Sequence, residues 1–359
     1  MDAYFCNLNI PERYMQRCLQ LAAMGAGQVA PNPMVGAVLV YEDRIIGEGY
    51  HEKFGEAHAE VNCINSVAEA DKKFISESTM YVSLEPCAHF GKTPPCVQLI
   101  IKNKIPKVVI GCTDSFEEVA GKGIDQLKAA GVEVAVGILE KECLELNRRF
   151  FVFHEKKRPY IILKWAQSSD GKIAAFDEAR TYISNEFTNR LVHKWRTEEA
   201  SILVGTNTAI QDDPALTARL WPGNDPVRLV IDTELKLPRH LKLFDRTVKT
   251  IVFNFIKQAE EENLLYCQLK SKGNILTQIL EALYSNHIQS VMVEGGAKLL
   301  QSFIDEGLWD EARVISNGQL TIDNGLKAPV LKEHNLYKEE KAENDTISFF
   351  SNVTMHKSN

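Results

Sequence analysis

Four residues in the first half of the chain have the types and spacing of a catalytic metal site: His58, Glu60, Cys87 and Cys96. A neutral imidazole and two thiolates can hold a zinc ion at three corners of a tetrahedron, and such a site leaves the fourth position open for water. Glu60 lies two positions after His58, close enough to transfer protons at that water without binding the metal. We therefore predict a catalytic zinc site with Glu60 as its acid–base.

The spacing of these residues resembles the H-x-E…P-C signature of the zinc-dependent nucleobase deaminases, in which metal-activated water attacks a ring carbon and the glutamate moves protons. Pro86 precedes Cys87 as in the signature, but the two cysteines enclose eight residues, where the signature has two. The alternative is a structural zinc knuckle or a pair of ordinary core thiols. A structural site needs a fourth protein ligand, for which His89 is the only nearby candidate, and it leaves Glu60 without a role.

The composition indicates an acidic enzyme with two domains. The chain has 359 residues and a formal net charge of −7, and a chain of this length usually divides. The acidic balance argues against nucleic acid as the main partner, because such binding depends on clustered Lys and Arg. The amino terminus lacks a signal-peptide pattern, and the apolar runs Tyr160–Leu163 and Ser201–Val204 are too short to cross a bilayer. Eight scattered cysteines favour reduced thiols, so we expect a cytoplasmic enzyme that binds no membrane.

The apolar periodicity of the first half predicts a three-layer α/β sandwich. It indicates a helix over Pro11–Met24, a hairpin over Val35–Val40 and Ile45–Tyr50, and a strand over Met80–Leu84 that delivers Cys87 at its carboxyl end. Strands and helices alternate through the rest of this half, as in a mixed or parallel sheet covered by helices. The metal ligands then fall at helix starts and strand ends, where such sheets usually place their sites.

Residues 148–158 are charged and contain a basic run, and we predict that they connect a first domain over residues 1–147 with a second over residues 159–359. The second half alternates strands and helices again, which predicts a doubly wound α/β domain. It contains no G-x-G-x-x-G dinucleotide motif. Ile347–Met355 is predicted to close the chain as an edge strand.

Polar loops that follow strands of the second half suggest a ligand cleft. Gly295-Gly296 precedes a helix, so backbone N–H groups at the helix start could hold a phosphate, although such a pair can equally be a tight turn. A second glycine- and hydroxyl-rich loop covers residues 205–214. Arg196 and Arg219 could bind a phosphate ester in bidentate fashion, or could be solvated surface charges.

Together, these motifs resemble the bifunctional deaminase–reductase family of riboflavin biosynthesis, over about Tyr14 to Val330. The wide cysteine spacing is the spacing of this family. The residues that carry the resemblance are 31–36 (PNPMVG), 58–60 (HAE), 84–87 (LEPC) and 91–96 (GKTPPC) in the first half, and 164–172 (KWAQSSDGK), 212–219 (DDPALTAR) and 293–296 (VEGG) in the second.

The resemblance implies an N-terminal cytidine-deaminase-like three-layer α/β/α domain followed by a dihydrofolate-reductase-like doubly wound α/β domain. The first would use zinc to remove the 2-amino group of 2,5-diamino-6-ribosylamino-4(3H)-pyrimidinone 5′-phosphate as ammonia. The second would use NADPH to reduce the ribosyl group to ribityl, giving 5-amino-6-(5-phospho-ribitylamino)uracil. We expect one zinc ion per chain, a small-molecule pyrimidine ribonucleotide-like substrate and a homo-oligomer.

The resemblance also assigns residues to the two sites. The deaminase substrate would be bound by Asn32, His51, Lys92 and Asp114. The reductase substrate would be bound by Lys164, Arg180, Arg196, Leu216, Arg219 and Glu294. The nicotinamide cofactor would face Ala166, Tyr182, Ser184, Thr208, Asp212, Thr233, Gly295 and Gly296.

Two positions depart from the family's pattern. After Asp114 the family usually continues Pro-Asn-Pro, whereas this chain has Ser115-Phe116-Glu117, which alters the loop. Arg180 stands where the family commonly has a serine that touches the substrate phosphate. A cation at that position could bind the phosphate with a longer reach.

Two other functions compete with this one. A deaminase that edits tRNA or DNA would share the metal chemistry, but it needs a basic, aromatic groove for the flipped base, which the acidic balance disfavours. A zinc-stabilised regulator whose second domain senses a nucleotide would have no need of Glu60 beside an open metal position.

Overall fold

The computed structural model describes residues 8–90, 94–115, 120–176 and 181–353. The chain divides into two units, Met1–Lys157 and Arg158–Asn359. Each unit has its own hydrophobic core. No helix within the described ranges combines the length and the apolar composition needed to span a membrane.

The first unit is built from a five-stranded sheet with helices on both faces. Its strands are β1 (Gly36–Tyr41), β2 (Arg44–Tyr50), β3 (Thr79–Leu84), β4 (Lys107–Cys112) and β5 (Glu133–Val136). Its α-helices within the described residues are α1 (Ile10–Ala23), α2 (Ala59–Asn65), α3 (Cys96–Lys102), α4 (Lys122–Ala129), α5 (Glu140–Leu146) and α6 (Arg148–Lys156), and a 3₁₀ helix covers Glu69–Glu77. The strand order is β2-β1-β3-β4-β5, with β1 antiparallel to both neighbours and the last three strands parallel.

The side chains of β1 point alternately to the two faces of the sheet, which explains why the first unit has three layers. Ala37 and Leu39 join the core beneath α2, α3 and α4, whereas Val38 and Val40 join the core beneath α1, α5 and α6. Since successive residues of a strand point to opposite faces, a strand that is apolar at every position must be covered on both sides. The predicted hairpin is the β1–β2 pair, and the unit is the predicted α/β/α sandwich.

The first helix begins where its sequence signals place it. The Asn9 side chain accepts a hydrogen bond from the Glu12 backbone N–H, and the Glu12 carboxylate accepts one from the Asn9 N–H. This reciprocal pair satisfies two N–H groups at the helix start, and Pro11 in the first turn needs no such partner. The predicted helix over Pro11–Met24 is therefore α1, shifted by one residue at each end.

The stretch predicted as a connection, residues 148–158, is for the most part the helix α6. Phe150 and Phe151 of this helix are buried in the core that α1 and α5 cover. The exposed Lys156 and Lys157 lie at the end of a helix whose apolar face belongs to the first unit. A charged stretch is thus not by itself a linker, because an amphipathic helix carries the same charges on one face.

The second unit is built around a ten-stranded sheet. Its strands are β6 (Tyr160–Ser168), β7 (Lys172–Ala175), β8 (Ser201–Val204), β9 (Val227–Ile231), β10 (Thr250–Asn254), β11 (Ala259–Glu261), β12 (Leu264–Gln268), β13 (Ser290–Gly295), β14 (Glu311–Asn317), β15 (Gly325–Lys327), β16 (His334–Ala342) and β17 (Asp345–Asn352). Its α-helices within the described part are α7 (Glu186–Glu198), α8 (Thr206–Asp212), α9 (Ile275–Ser285) and α10 (Ala297–Asp305), and a 3₁₀ turn covers Lys242–Phe244. The order is β11-β12-β10-β9-β8-β13-β6-β14-β17-β16, and β7 pairs with β15 separately.

The centre of this sheet is parallel and its edges are antiparallel. Strands β12, β10, β9, β8, β13, β6 and β14 each run parallel to their neighbours in that series. The apolar residues of α9 and α10 pack on one face. On the other face the Trp195 ring of α7 meets the Phe349 ring of β17, with centroids 6.0 Å apart. Helices on both faces of a mainly parallel sheet make this a doubly wound α/β unit.

The prediction that the last strand lies at the sheet edge is wrong. Strand β17 pairs with β14 on one side and with β16 on the other, so β16 is the edge strand. The sequence did not predict β16, because nearly all of its residues are exposed and many are charged. Edge strands of this kind carry charges that prevent pairing with other chains, and they lack an apolar period.

Candidate functional site

The three predicted metal ligands lie together in the first unit. His58 is the cap residue of α2, Cys96 is the first residue of α3, and Cys87 follows β3 by three positions. The Nδ1 atom of His58 lies 3.6 Å from the Cys87 sulfur and 3.4 Å from the Cys96 sulfur. A tetrahedral zinc ion with ordinary Zn–N and Zn–S bonds separates such atoms by about 3.6 Å. The donor set and its geometry therefore fit zinc.

Without a metal ion, the three side chains hydrogen-bond to one another. Hydrogen bonding from the Cys96 thiol and the His58 ring lowers the pKa of Cys87 to about 4, so this sulfur is a thiolate at neutral pH. The same Cys87 sulfur raises the pKa of the His58 ring, and with burial it raises the pKa of Cys96 well above its ordinary value. The Cys96 backbone N–H donates a further hydrogen bond to the Cys87 sulfur at 3.3 Å. Zinc binding would replace the shared protons.

The fourth position of this site has no described protein ligand. Among the residues that the structure describes, the cluster of close ligand atoms comprises His58, Cys87 and Cys96 alone. His89, which a structural zinc site would need, is exposed and lies outside the cluster. This arrangement is that of a catalytic rather than a structural zinc site.

Glu60 lies beside the ligands in the first turn of α2 and is 3% exposed. Burial and the nearby Cys87 sulfur raise the pKa of its carboxyl group above the ordinary value. A carboxyl group whose pKa is raised toward neutrality can both accept and return a proton. Glu60 is thus a buried carboxyl group beside the ligand atoms, where a proton can be exchanged.

Next to the metal ligands, hydrogen bonds fix the tautomer of the His51 ring. The Nδ1 atom of His51 lies 3.0 Å from the Ala57 carbonyl oxygen, which can only accept, so Nδ1 carries the proton. Burial lowers the pKa of the His51 ring, so it is neutral and its Nε2 accepts from the Asn32 amide at 3.1 Å. The His51 and His58 rings meet edge to face, with centroids 5.5 Å apart. Asn32 and His51 are thus adjacent to the metal ligands.

Glu85 organises the loop that carries Asp114, a role that the sequence analysis missed. Its carboxylate accepts hydrogen bonds from the backbone N–H groups of Asp114, Gly121, Gly123 and Ile124, at 3.2, 3.0, 2.9 and 3.2 Å. Glu85 lies two positions before Cys87, so the carboxylate ties the Asp114 loop and the start of α4 to the ligand-bearing strand. Its place in the LEPC motif was the signal. Lys92 lies outside the described residues.

Asn147 is a second residue whose role the sequence did not reveal. Its amide oxygen accepts from the Met34 backbone N–H at 2.8 Å, and its amide nitrogen donates to the Met34 carbonyl at 2.9 Å. Asn147 is 2% exposed and stands between α5 and α6. It therefore fixes the loop that presents Asn32. No local pattern predicts a contact between residues so far apart in the chain.

The second unit contains a buried charged cluster beneath α7. Leu163 and Val293 belong to the core under α9 and α10, so Lys164 and Glu294, the next residues of β6 and β13, point to the opposite face. Arg196 of α7 donates to both carboxylate oxygens of Glu294, at 2.8 and 2.7 Å.

The charges of this cluster hold Glu294 ionised. Burial alone would raise the pKa of its carboxyl group, but the adjacent Arg196 and Lys164 cations outweigh burial and hold the pKa at about 2. Burial lowers the pKa of the Lys164 ammonium. Arg196 also donates to the Thr217 carbonyl at 3.0 Å, so its guanidinium is occupied on both edges.

Leu216 and Arg219 lie on either side of Thr217 on the same loop. The Leu216 side chain is buried, whereas Arg219 is exposed and forms no hydrogen bond or ion pair with the described residues. His193, one helical turn before Arg196, is 5% exposed, and its Nδ1 atom has no hydrogen-bond partner. His193 was not predicted; its spacing of three residues from Arg196 was the only signal, and it is weak.

Two glycines form a cradle at the carboxyl ends of β13 and β8. Gly295 has a φ of +143°, a conformation that favours glycine, and a Cβ atom on Gly296 would lie 3.0 Å from the Thr208 hydroxyl oxygen. The Gly205 N–H donates to the Gly295 carbonyl at 2.9 Å, which joins the two strand ends. Gly296 caps α10 without a side-chain hydrogen bond, so the first N–H groups of α10 are open to an anion. The cradle fits a cofactor phosphate.

The remaining predicted residues of the second unit lie on several different elements. Ala166 lies on β6, Thr233 accepts a hydrogen bond through its carbonyl at the end of β9, and Ser184 precedes α7. Tyr182 is 74% exposed, and Asp212 ends α8 on the surface. The structure thus brings Arg196 and Glu294 into contact, with Lys164 near them, and places Thr208 against the two glycines. Arg180 lies outside the described residues.

Comparison with known proteins identifies both units. Residues 8–112 match the cytidine and deoxycytidylate deaminase zinc-binding region, and residues 159–320 match the RibD C-terminal domain. The riboflavin biosynthesis protein RibD of Aquifex aeolicus is 39% identical over 355 residues, covering 95% of this chain and 98% of that protein. The chain belongs to the RibD family. RibD of Bacillus amyloliquefaciens is also 39% identical, over 84% of this chain and 82% of its own length.

Solved structures agree with this assignment. A diaminohydroxyphosphoribosylaminopyrimidine deaminase/5-amino-6-(5-phosphoribosylamino)uracil reductase from Thermotoga maritima superposes with a TM-score of 0.86 at 34% identity, covering 96% of this chain and 99% of that one. Acinetobacter baumannii RibD superposes with a TM-score of 0.85 at 31% identity, covering 95% and 98%.

This RibD-family chain is a bifunctional enzyme of riboflavin biosynthesis, with a zinc-dependent deaminase and an NADPH-dependent reductase. Its substrate is a small-molecule pyrimidine ribonucleotide. The predicted fold class, a cytidine-deaminase-like domain followed by a dihydrofolate-reductase-like domain, is confirmed, as are the predicted family, enzyme class and cofactors.

Proposed function

We propose that His58, Cys87 and Cys96 hold the zinc ion of the deaminase and that Glu60 is its catalytic acid–base. The observation that carries this proposal is the spacing of one nitrogen and two sulfurs at 3.4 and 3.6 Å, with a buried carboxyl group beside them. When bound, zinc supplies Lewis-acid activation of water. Glu60 takes a proton from the attacking water and returns one to the departing amino group, which leaves as ammonia.

The substrate of this step is 2,5-diamino-6-ribosylamino-4(3H)-pyrimidinone 5′-phosphate in our proposal. Asn32, His51, Lys92 and Asp114 bind it, and the tautomer of the Asn32–His51 pair supports this. Because His51 Nε2 already accepts from Asn32, the amide of Asn32 is held in one orientation, with its carbonyl oxygen as the acceptor that remains. An oriented amide suits the recognition of one pattern of ring donors and acceptors. Glu85 and Asn147 fix the loops of Asp114 and Asn32.

The reductase step converts the ribosyl group of the deaminated product to ribityl. When bound, NADPH would supply the hydride that reduces the sugar carbon bonded to nitrogen, in the ring-opened imine form, and a proton would complete the amine. In our proposal Gly295, Gly296 and Thr208 receive the cofactor, together with Ala166, Tyr182, Ser184, Asp212 and Thr233. Lys164, Arg180, Leu216, Arg219 and Glu294 receive the substrate.

Arg196 has a supporting role in this proposal. Its guanidinium is bonded to Glu294 and the Thr217 carbonyl, so it holds Glu294 and the loop of Leu216 and Arg219 in place. Arg219, which is exposed and carries no partner among the described residues, is the better candidate for the substrate phosphate.

We further propose that residues 1–147 and 159–359 are separate catalytic domains, that the chain forms a homo-oligomer, and that it works in the cytoplasm. The need of the zinc site for reduced thiols supports the last point. We expect that the protein binds neither nucleic acid nor membranes.

The proposed reactions are tested by supplying the pyrimidine phosphate and NADPH to the purified protein. We expect one ammonia released and one NADPH oxidised per substrate, with ammonia first. NADPH oxidation without ammonia release would contradict the proposed order of the two steps.

A further inference from the structure

His193 is the least explained polar side chain of the second unit. It lies on the inner face of α7, between the buried residues Val192 and Trp195, and is 5% exposed. Its Nδ1 atom is buried and has no hydrogen-bond partner among the residues that the structure describes. Buried polar atoms are almost always paired in folded proteins, so an unpaired one at this position calls for an explanation.

The surroundings of His193 are the proposed substrate cleft. The charged groups that act on the ring are Arg196 from its own helix, Arg219 from the loop after α8, Glu294 from β13 and Lys164 from β6. All four were assigned to the reductase substrate on sequence grounds. The ring therefore lies near charged side chains of β6, α7, β13 and the loop after α8, yet it forms no hydrogen bond with the described residues.

The charges explain which form of the ring is present. Burial and the neighbouring Arg196 and Arg219 cations lower the pKa of His193 to about 4, so the ring is neutral at physiological pH. A neutral imidazole offers one N–H donor and one acceptor nitrogen. It can pair with hydroxyl, amide or carbonyl groups without adding to the positive charge that the cluster already holds.

We propose that His193 contacts the reductase substrate and hydrogen-bonds an uncharged polar group of its pyrimidine or ribosyl part. This inference rests on the proposed reductase function. The substrate then supplies the hydrogen-bond partner that the described residues do not, and Arg219 remains available for the phosphate. His193 then adds to the specificity of the cleft for a polyhydroxylated or carbonyl-bearing ligand.

Two variants test this role. His193→Leu removes the hydrogen-bonding groups and keeps the bulk, whereas His193→Asn places an amide near the position of Nδ1. We expect His193→Leu to raise the KM for the deaminated pyrimidine phosphate about tenfold, the effect of about one hydrogen bond, with kcat within about twofold. His193→Asn should recover most of that loss, and the KM for NADPH should stay unchanged in both.

The melting temperature separates this role from a structural one. Because His193→Leu removes an unpaired buried polar atom, the variant should melt no lower than the wild type while it binds substrate less tightly. An unchanged substrate KM in His193→Leu overturns the proposal. So does a lowered melting temperature in both variants, or a KM for NADPH that rises with that for substrate.

Wild-type activity distinguishes this inference from the function on which it rests. If the wild type does not oxidise NADPH with the deaminated substrate although it releases ammonia in the first step, the proposed reductase function fails. If the wild type does so and His193→Leu equals it, only the role of His193 fails.

Discussion

The two catalytic sites of this chain are built in opposite ways. The metal site consists of three side chains at two helix starts and one strand end, and its ligand atoms lie within 4.8 Å of one another. The reductase cluster collects residues from β6, α7, β13 and a loop, and its Glu294 carboxylate is already paired with Arg196 before a ligand binds. Loss of one ligand should therefore abolish zinc binding and deamination at the first site. At the second site, one substitution should lower stability and another should weaken substrate binding.

Removal of one thiolate is expected to have the largest effect. Cys96→Ser replaces a buried sulfur ligand with a neutral hydroxyl, which is a far poorer ligand, so zinc content and ammonia release should both be lost. The reductase should keep its rate with the deaminated substrate. Metal analysis and both assays on one preparation measure this, with Cys267→Ser as the control, since Cys267 lies in the other unit. Full zinc content in Cys96→Ser would remove that residue from the site.

Loss of Arg196 should mainly affect stability. Arg196→Ala leaves the buried Glu294 carboxylate without its bidentate partner, and breaking a buried ion pair typically costs about 3–5 kcal/mol. Urea unfolding of the second unit measures the change. Arg190→Ala is the matched control, because Arg190 is an exposed residue of the same helix. Equal stability of the two variants would show that the ion pair contributes nothing, and would return Arg196 to the list of phosphate ligands.

The stability of the second unit should also fall in acid. The folded pKa of Glu294 is about 2, below its ordinary value of 4.5, so the carboxylate contributes its full stabilisation above about pH 5 and loses it as the pH falls toward 2. Urea unfolding between pH 5 and 3 should show a slope that Glu294→Gln reduces and that Glu281→Gln, an exposed change in α9, leaves alone. The same slope in all three proteins would mean that Glu294 is not held ionised by the fold.

Loss of Arg219 should have the smallest effect, confined to one substrate. A guanidinium–phosphate hydrogen bond is worth about 1.5–3 kcal/mol, so Arg219→Ala should raise the KM for the pyrimidine phosphate by about one to two decades. The melting temperature and the KM for NADPH should not change, because the exposed Arg219 supports no described contact. A higher KM for NADPH with an unchanged substrate KM would show that the two halves of the cleft are assigned the wrong way round.

The contrast between the sites also explains what the sequence could predict. The metal ligands and Glu60 are read from spacing, because a zinc ion demands particular side chains and α2 and α3 begin at them. Arg196, Arg219 and the Gly295-Gly296 pair were suggested by their residue types, but Lys164 and Glu294 were reached only through the resemblance. These two become neighbours through strand pairing that no local period encodes.

The residues that the sequence analysis missed share one property. Glu85 and Asn147 act on backbone groups of distant loops, and His193 stands out only because a buried atom lacks a partner. Such roles depend on the packed structure and leave no motif. The edge strand β16 was not predicted either, because its exposed residues show no alternation of apolar and polar side chains.

The independence of the two sites is tested most directly by Glu60→Gln. The variant keeps all three ligands, so it should retain zinc, while ammonia release should fall by about 10²–10⁴-fold, the usual contribution of a general acid–base. NADPH oxidation with the deaminated substrate should equal that of the wild type and of Glu56→Gln, an exposed control in the same unit. Loss of both activities in a folded, zinc-loaded Glu60→Gln protein would contradict the assignment of one complete site to each unit.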